Sequence, residues 1–258
     1  MTSETPEATE PEAARPATGQ SDGAKPLLDR YRYVFVVTYG RSGSTLLQSV
    51  LNSTPGTQIR GENGNVLYFL YRSLSCANQA IRSRAKDPAP RLPDHPWFGF
   101  NEIKARRFDA TLLNAFVRDV LVPDPAAQVI GFKEIRYTSL SIAKGDFAPY
   151  MDFLLNRFPQ ARIVFNSRRA DDVLVSSFMA VGQPDQTRLV LREADQMFAD
   201  YDRSSDRTIH MHYEDYVADH GLIHKMLDFL ELAWSADRVA AVMKKRLVHA
   251  SRPSNATD

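Results

Sequence analysis

The sequence predicts an α/β fold, a central and mostly parallel β-sheet flanked by helices on both faces. Three observations predict it. Short strand-like runs recur at 33–37, 57–61, 128–132, 161–166 and 208–212, and 33–37, apolar throughout and rich in β-branched and aromatic residues, suits a strand buried on both faces of a parallel sheet. Between them lie longer stretches with apolar residues at helical spacing. Finally, four polar clusters, at 41–45, 60–65, 133–137 and 168–176, each follow one of the strand-like runs. In open α/β sheets ligands sit beyond the carboxyl ends of the strands, so these clusters form the candidate site.

The elements follow in order. Tyr33, Val34, Phe35, Val36 and Val37 make the first strand, and Tyr39-Gly40-Arg41-Ser42-Gly43 interrupts it with two glycines. Ser44 and Thr45 then stand where helix-capping hydroxyls belong, ahead of Leu46, Leu47, Val50 and Leu51 on one helical face. A short second strand ends near Gly61, and a helix starts at Val66 and extends toward Ala85. The segment 87–101 is rich in proline, glycine and aromatic residues (His95, Trp97, Phe98), a long loop of the kind that forms lids or binding walls. Phe108, Leu112, Leu113, Phe116, Val117 and Val120 mark an amphipathic helix. After the third strand come a helix over 147–158 stopped by Pro159, the fourth strand, helices over 171–181 and 185–201, the fifth strand, and closing helices over 222–232 and 235–247.

Composition bounds the function. A chain of 258 residues is long enough for one large α/β domain or two small ones. Residues 1–24 are dominated by Pro, Ala, Thr, Glu and Gly, too little apolar surface to offset ordering entropy. A disordered tail over 1–28 and a single domain over 29–258 are therefore expected. Five acids against Arg15 give residues 1–24 a net −4, and with the whole chain at +1 the remainder stands at +5. That mildly basic balance suits anionic ligands and is too weak for a nucleic-acid surface. The single cysteine, Cys76, excludes an internal disulfide and a cysteine-built zinc site. No apolar run approaches the ~20 residues of a membrane span. The first residues lack the layout of a signal peptide, so a cytoplasmic protein without an integral membrane segment is expected.

The strand–loop–helix unit around Arg41 aims backbone N–H groups and a helix N-terminus at one point, a ready anion site. The loop lacks the lysine and the glycine spacing of a Walker A motif. Arg41-Ser42-Gly43-Ser44-Thr45 instead resembles the 5′-phosphosulfate loop of sulfotransferases, in which a basic residue precedes S-G-[ST]-[ST]. Arg168, with Ser176 eight positions on, is similar to the 3′-phosphate motif of the same family. Tyr213-Glu214-Asp215 after the last strand resembles its Y-E-D segment, whose tyrosine lies near the adenine. The chain thus resembles sulfotransferases that use 3′-phosphoadenosine-5′-phosphosulfate (PAPS), above all bacterial and Golgi-type members, which carry arginine in the first loop.

The resemblance implies the fold, PAPS as donor and sulfuryl transfer as the reaction, and it does not imply an acceptor. A hydroxyl of a carbohydrate, glycolipid or other small molecule is expected, the carbohydrate preference resting on likeness to the glutamate-base type alone, and no metal is expected because arginine and lysine supply the positive charge. It implies cofactor contacts from Arg41, Ser42, Gly43, Ser44, Thr45, Arg168, Ser176 and Tyr213. Arg252, in the polar tail, stands where relatives bring a basic loop to the 3′-phosphate, and a solvated basic terminus is the competing reading. Arg41 is expected to stabilise the leaving phosphate oxygen and Lys133 the sulfuryl oxygens. Cytosolic members use a histidine base, and none of the six histidines stands in the matching place near Lys133. Glu62, after the second strand as in Golgi-type members, is the expected base, and Glu134 the runner-up or a partner for Lys133 or Arg136. Two further readings stay open at the level of sequence: a P-loop kinase or NTPase, and a nucleotide-binding protein without catalysis.

Overall fold

The computed structural model describes residues 26–84, 92–143, 145–175 and 183–250. Five strands form a single sheet, β1 (Arg32–Thr38), β2 (Thr57–Arg60), β3 (Val129–Glu134), β4 (Arg162–Ser167) and β5 (Thr208–His212), in the order β2-β3-β1-β4-β5. Every pairing is parallel. All five expected strands are present. The second stops at Arg60, and the third runs on to Glu134, so Lys133 and Glu134 belong to the strand and not to the loop after it.

Alternation along the strands divides the interior in two. Tyr33, Phe35 and Val37 of β1 point to one face, with Phe132 and Phe165. Helices α2 (Val66–Arg84), α3 (Ala105–Ala115), α4 (Phe147–Arg157), α5 (Ala170–Val175) and α6 (Pro184–Asp202) supply its cover through Leu67, Leu113, Leu154, Val173 and Phe198. Val34 and Val36 point to the other face, against α1 (Ser44–Asn52), α7 (Tyr213–Ala218), α8 (Gly221–Phe229) and α9 (Ala236–Ala250). Gly131 of β3 lies beside Val34, and a Cβ there would meet the Val34 carbonyl oxygen at 1.7 Å, so the close approach of β3 to β1 requires glycine.

Several boundaries differ from the sequence reading. Leu27 and Leu28 pack on the core from a 3₁₀ turn (Leu27–Arg30), and the Leu28 amide donates to Asn114 Oδ1, so the packed chain begins slightly before residue 29. The amphipathic helix ends at Ala115 and continues as a π-helical turn over Phe116–Leu121. Arg60 donates to the Leu121 and Val122 carbonyls at its end, at 2.8 and 2.6 Å. Of the helix expected over 171–181, the described part is Ala170–Val175. Tyr213–Ala218 is a helix the sequence did not signal.

The strand order positions the site. From β1 the chain goes to β2 and β3 on one side of the sheet, and β4 and β5 lie on the other. The crossovers diverge between β1 and β4, which leaves a crevice at their carboxyl ends, the usual ligand position in such sheets.

Candidate active site

The crevice is built from four strand ends. The loop after β1 is fixed from below. Thr38 donates to the Asn166 carbonyl at 2.6 Å, its hydroxyl lies 2.7 Å from Ser42 Oγ, and Asn166 Nδ2 donates to the Ser42 carbonyl at 2.9 Å. Ser42 is thus fully buried, with its hydroxyl turned into the fold. Arg41 adopts φ 64° and Gly43 φ 81°, two left-handed residues that fold the loop into a hollow. The cap of α1 corrects the sequence reading. Gly43 is the N-cap, no side-chain hydroxyl caps the helix, and Ser44 is its first, buried residue. Gly43 brings no side chain to the helix start, and Leu46 N–H already donates to the Gly43 carbonyl at 2.9 Å, so the amides of Ser44 and Thr45 are those an anion at this helix start would meet.

β4 delivers Arg168 to the same hollow. Its Nη1 donates to the Arg41 carbonyl at 3.1 Å. Tyr39 holds the backbone there: its hydroxyl accepts the Arg168 amide at 2.8 Å and lies 2.8 Å from Asp195 Oδ1. Burial pushes the Asp195 carboxyl up to about 6. The Arg168 guanidinium lies over the Tyr213 ring at 4.6 Å from its centroid, and Glu214 Oε1 stands 3.7 Å from Nε. That Nε is buried and without a hydrogen-bond partner among the described residues. Arg169 pairs with Asp172 at 2.8 Å, the ordinary arrangement of a helix-start cation. Ser176 and Arg252 lie outside the described residues.

The acid–base side is set by β2 and β3. Asn52 of α1 pairs with Ile59 like an added strand, accepting its N–H at 2.6 Å and donating to its carbonyl at 2.9 Å, and so places the end of β2. Glu62 follows, half-exposed, with Oε1 2.6 Å from Lys133 Nζ. Lys133 is almost wholly buried. Glu134, its neighbour, points to the opposite face and is fully buried. Its Oε2 accepts the amides of Asn63 and Asn65 at 3.0 and 2.9 Å, and its Oε1 accepts the Ile135 amide at 2.9 Å. Arg136 Nε is 3.9 Å away from it and largely exposed.

His210 and His212 both turn to Ser167 Oγ, at 2.9 and 2.7 Å. Burial, reinforced by His212, pushes His210 down to about 4. Among the described residues no three His, Cys, Asp or Glu side chains gather as a metal site, and no helix is long and apolar enough to cross a membrane. Tyr39, Asp195 and Ser167 carry the site's scaffolding and were not foreseen. Each is an ordinary core or helix-face residue in the sequence, and nothing local marks it.

The sequence profile described as the sulfotransferase family matches residues 33–236, most of the chain and all of these strand ends. This chain belongs to the sulfotransferase family. Solved structures similar to this sulfotransferase include the sulfotransferase domain of the Synechococcus PCC 7002 olefin synthase, 17% identical over 85% of this chain and 83% of that one, with a TM-score of 0.49. A sulfotransferase from Alicyclobacillus acidocaldarius is 13% identical over 84% and 96% of the two chains, with a TM-score of 0.46. STF9 from Mycobacterium avium is 14% identical over 89% and 71%, with a TM-score of 0.40. No curated protein matches the sulfotransferase.

Proposed function

We propose that this sulfotransferase uses PAPS and sulfates a hydroxyl of a carbohydrate, glycolipid or other small-molecule acceptor, with Glu62 as general base. The observation that carries the reading is the contact between Arg168 and the Arg41 carbonyl, because the two segments proposed to bind anions meet there. A bisphosphorylated nucleoside needs two such cradles a nucleoside apart. The Arg168 guanidinium, whose Nε makes no hydrogen bond among the described residues and has Glu214 only at ion-pair distance, suits a phosphate oxygen. The amides of Ser44 and Thr45, at the start of α1, suit the other phosphate.

The donor would supply an activated sulfuryl group bonded to a phosphate oxygen. Arg41 and the first amides of α1 would hold that phosphate and stabilise the charge it gains as its bond to sulfur breaks. Lys133 would bind the sulfuryl oxygens, within reach of the carboxylate it now touches. Glu62 would take the proton from the acceptor hydroxyl as the new oxygen–sulfur bond forms, so the products are a sulfate ester, adenosine 3′,5′-bisphosphate and a protonated Glu62 that returns its proton to water. Glu134 has both oxygens committed to backbone amides of the 63–65 turn and to Ile135. Its proposed role is to hold the turn that carries Glu62.

The experiment is transfer of labelled sulfate from PAPS to a panel of hydroxyl acceptors, beside calorimetric titration with adenosine 3′,5′-bisphosphate and with ATP–magnesium. Transfer together with tight bisphosphate binding supports the reading. Binding of ATP–magnesium in preference to the bisphosphate favours a phosphotransferase, and bisphosphate binding without transfer to any acceptor favours a non-catalytic protein.

A further inference from the structure

Tyr213 is expected from the family resemblance to lie near the adenine, yet the structure gives its ring other work. The Arg168 guanidinium occupies one face, 4.6 Å from the centroid. Gly43 lies against the Cδ2–Cε2 side so closely that a Cβ there would come within 2.1 Å of the ring, and Tyr216 meets the ring edge-on at 5.5 Å. One side chain therefore touches both the loop after β1 and the arginine after β4.

The geometry points to Tyr213 as a positioning residue that aims Arg168, a reading that rests on the proposal that Arg168 receives the 3′-phosphate. A guanidinium can be held by a carboxylate or by a π face, and the two differ in what they leave free. A carboxylate engages N–H donors and offsets the charge a phosphate would meet. An aromatic face fixes the plane of the guanidinium while leaving its edge N–H groups available and its charge intact. Here Glu214 pairs with Arg168 Nε at 3.7 Å, beyond hydrogen-bond distance, and accepts the Arg169 amide, while the ring of the adjacent Tyr213 lies under the guanidinium plane at 4.6 Å. Arg168 Nε is buried, has Glu214 Oε1 at ion-pair distance, and makes no hydrogen bond among the described residues. Tyr213 is the first residue of α7, which starts directly after β5, and β5 pairs with β4. The strand pairing thus sets the position of the ring relative to Arg168.

The test compares two probes that share adenine and the 5′-phosphate and differ only in the 3′-phosphate. Adenosine 3′,5′-bisphosphate and adenosine 5′-phosphate are titrated calorimetrically into wild type, Arg168→Ala, Tyr213→Phe and Tyr213→Leu. Wild type should prefer the bisphosphate by about tenfold or more, and Arg168→Ala should abolish the preference. Tyr213→Leu should reduce the preference by about fivefold or more while the monophosphate affinity changes by less than about threefold. Tyr213→Phe, which keeps the ring, should retain the preference. If Tyr213→Leu does not fold, Tyr213→Met carries the same expectation with a flexible side chain of similar length. Equal weakening of both probes would mean that the ring serves the base, and an intact preference in Tyr213→Leu would mean that it does not aim Arg168. Either result overturns the inference. A preference that survives Arg168→Ala instead overturns the 3′-phosphate reading of Arg168, and the role of Tyr213 with it.

Discussion

Arg168 Nη1 donates to the carbonyl oxygen of Arg41 at 3.1 Å, across 127 residues of sequence. The bond joins the ends of β4 and β1, the two strands between which the crossovers diverge. The backbone of the loop after β1 and the residue that follows β4 therefore meet at the carboxyl ends of neighbouring strands.

Glu62→Gln should lower turnover by roughly 10²–10⁴-fold, the usual contribution of a general base. Binding of adenosine 3′,5′-bisphosphate should persist, because Glu62 touches the site through Lys133 and not through Arg41 or Arg168. Single-turnover sulfate transfer and calorimetry on the same preparation check it. Unchanged turnover would move the base elsewhere.

Glu134→Ala should cost about 3–5 kcal/mol in urea unfolding, since it strands three backbone donors around a fully buried carboxylate, Asn65 buried and Asn63 and Ile135 partly so. Glu134→Gln keeps one acceptor oxygen and should cost less. A loss of turnover in Glu134→Ala with no loss of stability would count against the structural role and in favour of direct participation.

Gly43→Ala should destabilise by roughly 1–3 kcal/mol, from an unfavourable left-handed φ of 81° and a Cβ driven to 2.1 Å from the Tyr213 ring. Affinity for adenosine 3′,5′-bisphosphate should fall with it, because the ring that must move also underlies Arg168. Thermal unfolding and titration together measure both effects, and an alanine variant as stable as wild type would contradict the packing.

Stability should respond to pH through two buried groups of opposite sign. The Asp195 carboxyl rises from 3.8 to about 6 by burial, amid Tyr39, His212 and Glu214. Between those values the folded chain holds the proton more tightly than the unfolded chain, so this contribution is lost as pH rises. His210 falls from 6.5 to about 4 by burial and by His212. There the unfolded chain holds the proton more tightly, so stability is lost as pH falls through that window. The two slopes oppose each other between about pH 4 and pH 6. Asp195→Asn should therefore gain on wild type as pH is raised across the window, and His210→Asn should gain as pH is lowered. Urea midpoints over that range decide it, and a pH slope in Asp195→Asn identical to wild type would refute the Asp195 part.

The fold was legible from local pattern because its strands are buried on both faces and its helices on one. Apolar runs such as 33–37 and stripes such as Leu46, Leu47, Val50 and Leu51 announce themselves in a window of a few residues. The helix over Tyr213–Ala218 was missed because its six residues are too few to show a period. The cap at Gly43 was misread because Ser44 and Thr45 have capping hydroxyls, whereas the loop needs a positive φ one residue earlier. In the candidate site, Arg41, Lys133 and Arg168 could be picked out by residue type and by their place at or just beyond the ends of strands. Tyr39, Asp195 and Ser167 could not, since their hydrogen bonds run to residues distant in sequence.

The sequence by itself determined the alternation of strands and helices, the glycine-bearing turn after β1, and the arginine that ends β4, all of which depend on neighbours within a turn or two. Only the tertiary structure decided that β1 lies between β3 and β4. It also separated Lys133 from Glu134: successive residues of a strand face opposite ways, so one meets Glu62 and the other the backbone of the 63–65 turn. Five apolar runs fit many strand orders equally well, and which surface each adjacent side chain meets is fixed only when the layers pack.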